Sequence, residues 1–198
     1  MADAHVPSKA ELLEMLRASG DDAVRQLRAL PEAAFAVGRY ENGWDARQIL
    51  AHIASIEWTY GRLIDLAQQA PAQQTADSTQ QTADDRQQGD GGVRRTSEQE
   101  SGGIPTRVAA GGIDAYNERQ VAKRAGAPAA ELIDEFARNR ARTIAAVAAA
   151  GEALFPAPIR SAGGITGPLG GVLRAVAVEH VMGHVGDIIG KPRTGRRW

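Results

Sequence analysis

Three histidines are the residues of this chain whose type and spacing are best suited to chemistry. His180 and His184 lie four positions apart, and His52 lies in the apolar stretch ARQILAHIASIEW. Side chains four residues apart on an α-helix share one face, one turn above the other. Two imidazoles in that arrangement can bind a single metal ion, and a histidine from a neighbouring helix would supply a third ligand. The spacing therefore predicts a metal site formed by His52, His180 and His184.

Core histidines without a metal are the alternative interpretation of the same pattern. A lone histidine on an apolar helix face is most often a hydrogen-bonded core residue. Two imidazoles buried one turn apart, however, would leave several ring nitrogens without partners, which is costly. The residues alone therefore leave a metal site and a set of core histidines as open alternatives.

A metal held by three histidines would keep a position for another ligand. Three neutral nitrogen ligands leave at least one coordination position open for water or substrate, which is typical of catalytic sites. Imidazole suits Zn, Ni, Fe and Cu, and the spacing does not choose among them. Asp187 and Glu179 are candidates to orient the ligands, although a solvated surface position is the commoner role for such acids.

Two predicted helices carry the histidines on their apolar faces. Asp45 is the expected N-cap of the helix that contains His52, because its carboxylate can accept from exposed N–H groups of the first turn. The apolar positions of this helix continue to Ile64. The last predicted helix begins near Pro168 and has the other two histidines on the same face as its apolar residues.

Two further helices complete the predicted fold. The first begins at Ser8, which forms a capping box with Glu11, and it ends before Pro31, with Gly20 as a candidate break point. Another begins after Pro128. Since no β-strand pattern competes with these helices, the sequence predicts an all-α protein, a four-helix bundle.

The segment 70–112 differs in composition from the rest of the chain. It is rich in Gln, Thr, Asp and Gly and almost free of large apolar residues. Such a segment buries too little apolar surface to offset the entropy lost on ordering. We predict a long polar, low-complexity insertion between helices 2 and 3, within a single domain that spans 1–198. A lid over the site and a passive insertion both fit its length, and passive insertions are commoner.

Charge and composition limit the classes of partner. The 198 residues carry a formal net charge of -1 with a pI near 6.4, which does not suggest binding to nucleic acid. The apolar runs are too short to span a membrane. The chain contains no cysteine, so it has no thiolate ligand or cysteine nucleophile of its own. The N-terminus does not resemble a signal peptide, and we therefore expect a cytoplasmic protein.

The stretches around the histidines resemble the DinB-like superfamily. The stretch GWDARQILAHIASIEW is similar to its Trp-Leu-His segment, and EHVMGHVGDI is similar to its closing H-x-x-x-H helix. The stretch AYNERQVAKRAGAPAAELIDEFARNRAR, with its pair Asn117 and Glu118, resembles the branch that contains mycothiol-dependent maleylpyruvate isomerases. The similarity covers nearly all of the chain except the Gln-rich insertion. The isomerases carry a carboxylate at one ligand position where this chain has a third histidine, and Val185 stands where many members have arginine.

The resemblance implies a four-helix bundle, frequently homodimeric, in which His52, His180 and His184 bind a divalent metal such as Zn, Ni or Fe. The abundance of Ala, Arg and Gly suggests a bacterial source. The resemblance further implies a low-molecular-weight thiol, such as mycothiol, bacillithiol or glutathione, used in S-transfer or in thiol-assisted isomerisation of a small-molecule substrate. An external thiol would supply the nucleophile that a chain without cysteine lacks.

Other residues and other functions stay open at the level of sequence. The candidates to line a pocket for thiol and substrate are Trp44, Tyr60 and Asn117. Trp44 is equally well interpreted as a hydrophobic staple before the Asp45 cap. A metal-dependent hydrolase that uses water in place of a thiol, and a non-catalytic, stress-related metal-binding bundle, are the alternative functions.

Overall fold

A computed structural model describes residues 6–38, 43–69 and 112–191 of the chain. This part of the protein is mostly helical. The helices are α1 (Lys9–Arg28), α2 (Ala46–Glu57), α3 (61–69), α4 (Gly112–Ala122), α5 (Ala129–Ala149), α6 (Leu169–Leu173) and α7 (His180–Ile188). A π-helical turn, Arg174–Glu179, joins α6 to α7, so that the three together form one long helix. Short 3-10 helices occupy Glu32–Ala36 and Glu152–Leu154.

The bundle is formed by α1, α2, α5 and the long helix that ends with α7. Helix α2 packs against both α5 and α7, α1 packs against α5 and α7, and α4 packs against α2. Their apolar faces meet in one core, to which all four contribute. The predicted all-α class and four-helix bundle are therefore confirmed. Of the polar insertion predicted at 70–112, residues 70–111 lie outside the described residues. Helix α4 begins at Gly112.

The start of the helix that carries His52 is fixed by its cap. The Asp45 carboxylate accepts a hydrogen bond from the Gln48 backbone N–H at 2.7 Å. The Gln48 side chain accepts in return from the Asp45 N–H at 2.9 Å. This reciprocal pair satisfies N–H groups that have no partner within the helix. The predicted Asp45 cap is confirmed, and it sets the register of α2 from its first turn.

The helix of His52 is shorter than its apolar pattern predicts. That pattern runs to Ile64, but α2 ends at Glu57, and helix resumes at 61. The Thr59 hydroxyl donates to the Ile56 carbonyl at 2.6 Å, and the Thr59 N–H donates to the same oxygen at 2.9 Å. Such local bonds compete with the α-helical ladder, so the helix is interrupted although the apolar spacing continues.

Two other expectations are corrected by the structure. The connection before the last helix contains a small antiparallel hairpin, β1 (Pro158–Arg160) and β2 (Thr166–Pro168), where the sequence predicted no strand. Gly164 lies in its turn with φ of +85°, a conformation that glycine adopts without strain. Helix α1 is continuous through Gly20, so no break occurs there. None of the helices in the described ranges is both long enough and apolar enough to cross a membrane.

Candidate metal centre

The structure brings the three predicted histidines together. Helix α2 contributes His52, and the first two turns of α7 contribute His180 and His184. One ring nitrogen from each histidine can be chosen so that all three lie within 4.8 Å of one another. Coordination to one zinc ion at 2.0–2.1 Å would require separations of roughly 3.3 Å between these nitrogens. Small side-chain rotations would therefore complete the set.

The three rings lie edge to face around a shared volume. The ring centroids of His180 and His184 are 4.4 Å apart, and those of His52 and His184 are 5.2 Å apart. The centroid of His52 lies 5.8 Å from that of His180. Interplanar angles between 82° and 85° exclude face-to-face stacking of these rings. This arrangement allows three nitrogens to approach one point from different directions.

Burial gives the cluster its electrostatic character. His52 and His184 are buried, with 5% and 3% of their surface exposed, whereas His180 is half-buried. Burial lowers the pKa of His52 to about 3, and the neighbouring His184 and His180 add to this shift. The His52 imidazole is therefore neutral near pH 7, which is the form that binds a metal.

One buried ring nitrogen of His52 receives no hydrogen bond from the described residues. Within residues 6–38, 43–69 and 112–191, no hydrogen bond reaches the buried His52 Nδ1. A buried polar atom without a partner is costly and calls for an explanation such as an ion. In the same ranges the cluster contains three histidines and no carboxylate. This donor set fits a borderline divalent metal such as Zn, Ni or Fe.

Asp187 is placed to orient a ligand. Its Oδ2 lies 3.3 Å from Nδ1 of His184, and its side chain is mostly buried. When Nδ1 carries the proton and donates to this carboxylate, Nε2 keeps its lone pair for a metal. Glu179, the other acid considered from the sequence, is exposed and pairs with Arg174 at 2.9 Å. The surface interpretation therefore fits Glu179 but not Asp187.

Trp44 covers one side of His52. The two ring centroids are 5.4 Å apart at an interplanar angle of 49°. The Trp44 indole N–H donates to Glu118 Oε1 at 3.1 Å, which links this aromatic wall to α4. Trp44 was predicted from the sequence as a site residue, whereas Glu118 was not. The only signal for Glu118 was its place in the pair with Asn117 that carries the resemblance.

The remaining two pocket candidates have different surroundings. Tyr60 is buried beyond the end of α2, where burial and the nearby Glu57 charge raise its pKa well above 10. Its phenol is therefore neutral. Asn117 is half-buried, and no hydrogen bond from the described ranges reaches its buried Oδ1. Asn117 is adjacent in sequence to Glu118, which accepts the hydrogen bond from Trp44. Tyr60 instead lies near the buried pair of Glu57 and Arg140, whose charges influence its pKa.

We expect His52 to lower the stability of the metal-free protein as the pH falls below about 6.5, whereas Glu57, whose pKa is raised to about 7, has the opposite effect. In the unfolded chain His52 takes up a proton near its ordinary pKa of 6.5, but in the folded protein it stays neutral down to about pH 3. At this residue the unfolded state therefore binds more protons in this window, and the contribution of His52 to the free energy of unfolding decreases as the pH falls. One such group contributes a slope approaching ~1.4 kcal/mol per pH unit.

Urea denaturation at several pH values between 4 and 7 measures this slope. The variant His52→Gln lacks the titrating ring but keeps Glu57, so the stability of the wild type should fall relative to that of the variant as the pH decreases. Equal slopes for the two proteins would contradict the assignment of a depressed pKa to His52.

Comparison with known proteins gives a family and a fold. The sequence profile of the DinB superfamily matches residues 15–188. A structure of a mycothiol-dependent maleylpyruvate isomerase is similar with a TM-score of 0.60, and a structure of a mutant of that isomerase with a TM-score of 0.63. Sequence identity is 18% in both cases. At this identity the likeness establishes the fold alone, and it agrees with the fold implied by the sequence resemblance.

The isomerase is a longer protein than this chain. Each structural alignment covers 92% of this chain but only 61% of the isomerase chain. No curated protein matches the sequence. The comparisons thus assign no chemistry to this site.

Proposed function

Because the chain belongs to the DinB superfamily, we propose that it is a divalent-metal-dependent enzyme that uses a low-molecular-weight thiol as its nucleophile. The observation that carries this proposal is the convergence of three histidine rings from two helices. The neutral, buried His52 supports it further, since no hydrogen bond from the described part of the chain reaches its Nδ1. A set of hydrogen-bonded core histidines would not leave that atom without a partner.

His52, His180 and His184 would hold the metal in this enzyme. When bound, the metal would lower the pKa of a thiol or water in the remaining coordination position and so supply a nucleophile at neutral pH. The uneven burial of the ligands suits this role, because His180 is half-buried while the other two are buried. Ligands and substrate would therefore approach from the side of His180.

Neighbouring side chains would prepare the site for the thiol. Asp187 fixes the orientation of the His184 ring. Trp44, held by Glu118, excludes water from one side of His52 and offers an apolar wall to the thiol or the substrate. We retain Asn117 and Tyr60 as candidate pocket residues. Of these, Asn117 has the stronger support, since its buried Oδ1 is available as an acceptor within the described part of the chain.

The chain has no thiol of its own to serve as the nucleophile. With no cysteine in the sequence, a sulfur nucleophile must come from a small molecule such as mycothiol or bacillithiol. S-transfer to a small electrophilic substrate and thiol-assisted isomerisation both begin with such a bound thiolate. We propose one of these two reactions, on a small-molecule substrate.

A thermal-shift experiment tests this proposal. We expect mycothiol or bacillithiol to raise the melting temperature of the zinc-loaded protein and to leave that of the metal-free protein unchanged. A thiol at 100 times its Kd would add about 2.7 kcal/mol to the stability of the loaded form. Glutathione and a methylated thiol serve as controls for thiol identity and for the free sulfur. No shift with any of the thiols would contradict a thiol-dependent enzyme.

A metal-dependent hydrolase is the second candidate, and one observation favours it. The cluster contains a histidine where the isomerases carry a carboxylate, and three histidines with an open position are also the ligand set of water-activating zinc sites. Turnover of ester or amide substrates by the zinc-loaded protein without any thiol would support this candidate over the first.

A further inference from the structure

A buried ion pair lies in the core of the bundle, outside the histidine cluster. Arg140 on α5 contacts Glu57 at the end of α2, with Nε 2.8 Å from Oε1 and Nη2 3.0 Å from Oε2. Only 4% of the Arg140 side chain and none of the Glu57 side chain is exposed. Nη2 donates a hydrogen bond to Oε2, whereas the approach of Nε to Oε1 is an ion-pair contact without hydrogen-bond geometry.

The same guanidinium reaches the long helix that carries two of the histidines. Arg140 Nη2 donates to the Ala177 carbonyl at 2.6 Å. Ala177 lies in the π-helical turn, three residues before His180. Nη1 lies 3.4 Å from the Leu16 carbonyl on α1. One side chain of α5 thus contacts α1, α2 and the π-helical turn.

The π-helical turn determines which way the following histidines face. The His180 N–H donates to the Ala175 carbonyl, five residues back, instead of to the residue four back. One extra residue in a turn rotates all later side chains by about 100° relative to an uninterrupted α-helix. Accordingly, Val181 is fully buried while His180 is half-buried, although the apolar spacing of the sequence predicted His180 on the buried face.

A π-helical turn also needs an additional hydrogen-bond donor. Where bonding five residues apart returns to bonding four residues apart, one carbonyl oxygen is left without an N–H partner within the helix. Buried carbonyls are almost always paired. The bond from Arg140 to Ala177 supplies a donor in this turn.

The other end of the ion pair is tied to the helix of His52. Glu57 lies five residues after His52 on α2. Helix α5 makes two more bonds to this half of α2, since the Thr143 hydroxyl donates to the Glu57 carbonyl and the Asn139 amide donates to the Ala54 carbonyl, both at 3.0 Å. The pair therefore connects the element that carries one histidine to the turn that orients the other two.

Space for the pair is built into α1. A Cβ on Gly20 would lie 3.0 Å from Arg140 Cγ, so that only glycine leaves room for the arginine stem without a shift. Stability is a weak reason for such an arrangement, because an apolar pair of similar volume is often as stable or more stable. A positional role accounts for it better.

We propose that Glu57 and Arg140 are positioning residues for the histidine cluster. Arg140 holds the π-helical turn at the Ala177 carbonyl, and Glu57 fixes Arg140 to α2, so that His180 and His184 face His52. The proposal rests on the metal site of the proposed function where Co²⁺ binding is measured. Hydrogen exchange of the metal-free protein tests it independently of that site.

The test is the double variant Glu57→Met/Arg140→Met. It leaves no buried charge, so we expect it to fold, but it removes the donor to Ala177. We expect the affinity of the double variant for Co²⁺ to fall at least about tenfold, because removal of groups that orient metal ligands has effects of this size. We also expect the visible absorption spectrum of the bound Co²⁺ to change. An affinity and spectrum equal to those of the wild type would overturn the proposal.

The matched control is Arg124→Met/Glu135→Met. Arg124 also pairs with a glutamate, Glu135, at 2.6 Å and donates to a helix carbonyl, that of Gln120, at 3.0 Å. This pair joins the end of α4 to α5, and its bonds run to neither the π-helical turn nor α7. We expect the control to keep Co²⁺ affinity within twofold of the wild type and to keep the spectrum unchanged.

Hydrogen exchange of the metal-free protein gives the second readout. Amides of residues 178–184 should exchange at least tenfold faster in the Glu57→Met/Arg140→Met protein than in the wild type, and the Arg124→Met/Glu135→Met control should match the wild type. If the wild type bound no metal, the proposed function would fail, and exchange alone would decide the positioning role. Unchanged exchange at these amides would then overturn it.

Discussion

Replacing His184 by alanine is expected to weaken zinc binding at least about 100-fold. His184 is a buried histidine of the cluster and the one that the other two rings approach most closely, with centroid distances of 4.4 Å and 5.2 Å. Removal of a group that only orients a ligand already costs 10–100-fold in affinity, so loss of a ligand itself should cost more. Competition with a fluorescent zinc chelator measures the affinity, and circular dichroism verifies that the variant is folded.

The matched control for this prediction is the fourth histidine of the sequence. His5→Ala makes the same chemical change at a histidine that is not one of the three predicted metal ligands. Its zinc affinity should equal that of the wild type. If His184→Ala and His5→Ala bound zinc equally well, the three-histidine site would be wrong.

Replacing Arg140 alone by methionine is expected to lower the free energy of unfolding by about 3–5 kcal/mol. The substitution leaves the Glu57 carboxylate buried without its counter-charge, which is far more costly than removing both partners. Burial already raises the pKa of Glu57 to about 7, and Arg140 opposes that shift. Without Arg140 the pKa of this carboxyl rises further. Urea denaturation of the metal-free protein measures the loss.

The pH dependence of this loss has a definite sign. A carboxyl whose pKa is raised in the folded state is protonated there at pH values where it is ionised in the unfolded chain. Stability therefore decreases as the pH rises through this window. The cost of Arg140→Met should accordingly be larger at pH 8 than at pH 5.

A double-mutant cycle provides the control for the buried pair. Glu57→Met/Arg140→Met should be much closer in stability to the wild type than Arg140→Met is, because contacting residues are not additive. If the losses of the two single variants simply added up in the double variant, the pair would not be coupled as the contact distances indicate.

The histidine cluster could be predicted from the sequence because its signal is local. The spacing of His180 and His184 puts them on one helix face, and His52 follows the apolar period of its own helix. Asp45 and Gln48 mark the start of that helix three residues apart, which is a local pattern as well. Helix periodicity and capping suffice for features of this kind.

The residues that connect the two halves of the site could not be predicted in this way. Glu57 and Arg140 are charged residues of the type that is almost always on the surface, and their pairing joins positions 83 residues apart. Only the packing of α2, α5 and the π-helical turn brings them together.

The π-helical turn was also beyond the reach of periodicity. The stretch from Arg174 to Glu179 fits an α-helical apolar pattern, and the extra residue becomes visible only in the bond from His180 to Ala175. The interruption after Glu57 has the same character, because a hydrogen bond of Thr59 ends α2 within a continuing apolar stripe. Apolar spacing indicates that a helix forms, but not which hydrogen bonds its backbone makes.

X-ray absorption at the zinc edge of the zinc-loaded protein tests the central claim most directly. The cluster of His52, His180 and His184 predicts one zinc per chain, with three imidazole rings whose nitrogens lie at about 2.0–2.1 Å. The open position would add one further light atom, or sulfur when a thiol is present. A zinc shell that lacks imidazole scattering, or a protein that retains no zinc at all, would contradict the claim that these histidines form a metal site.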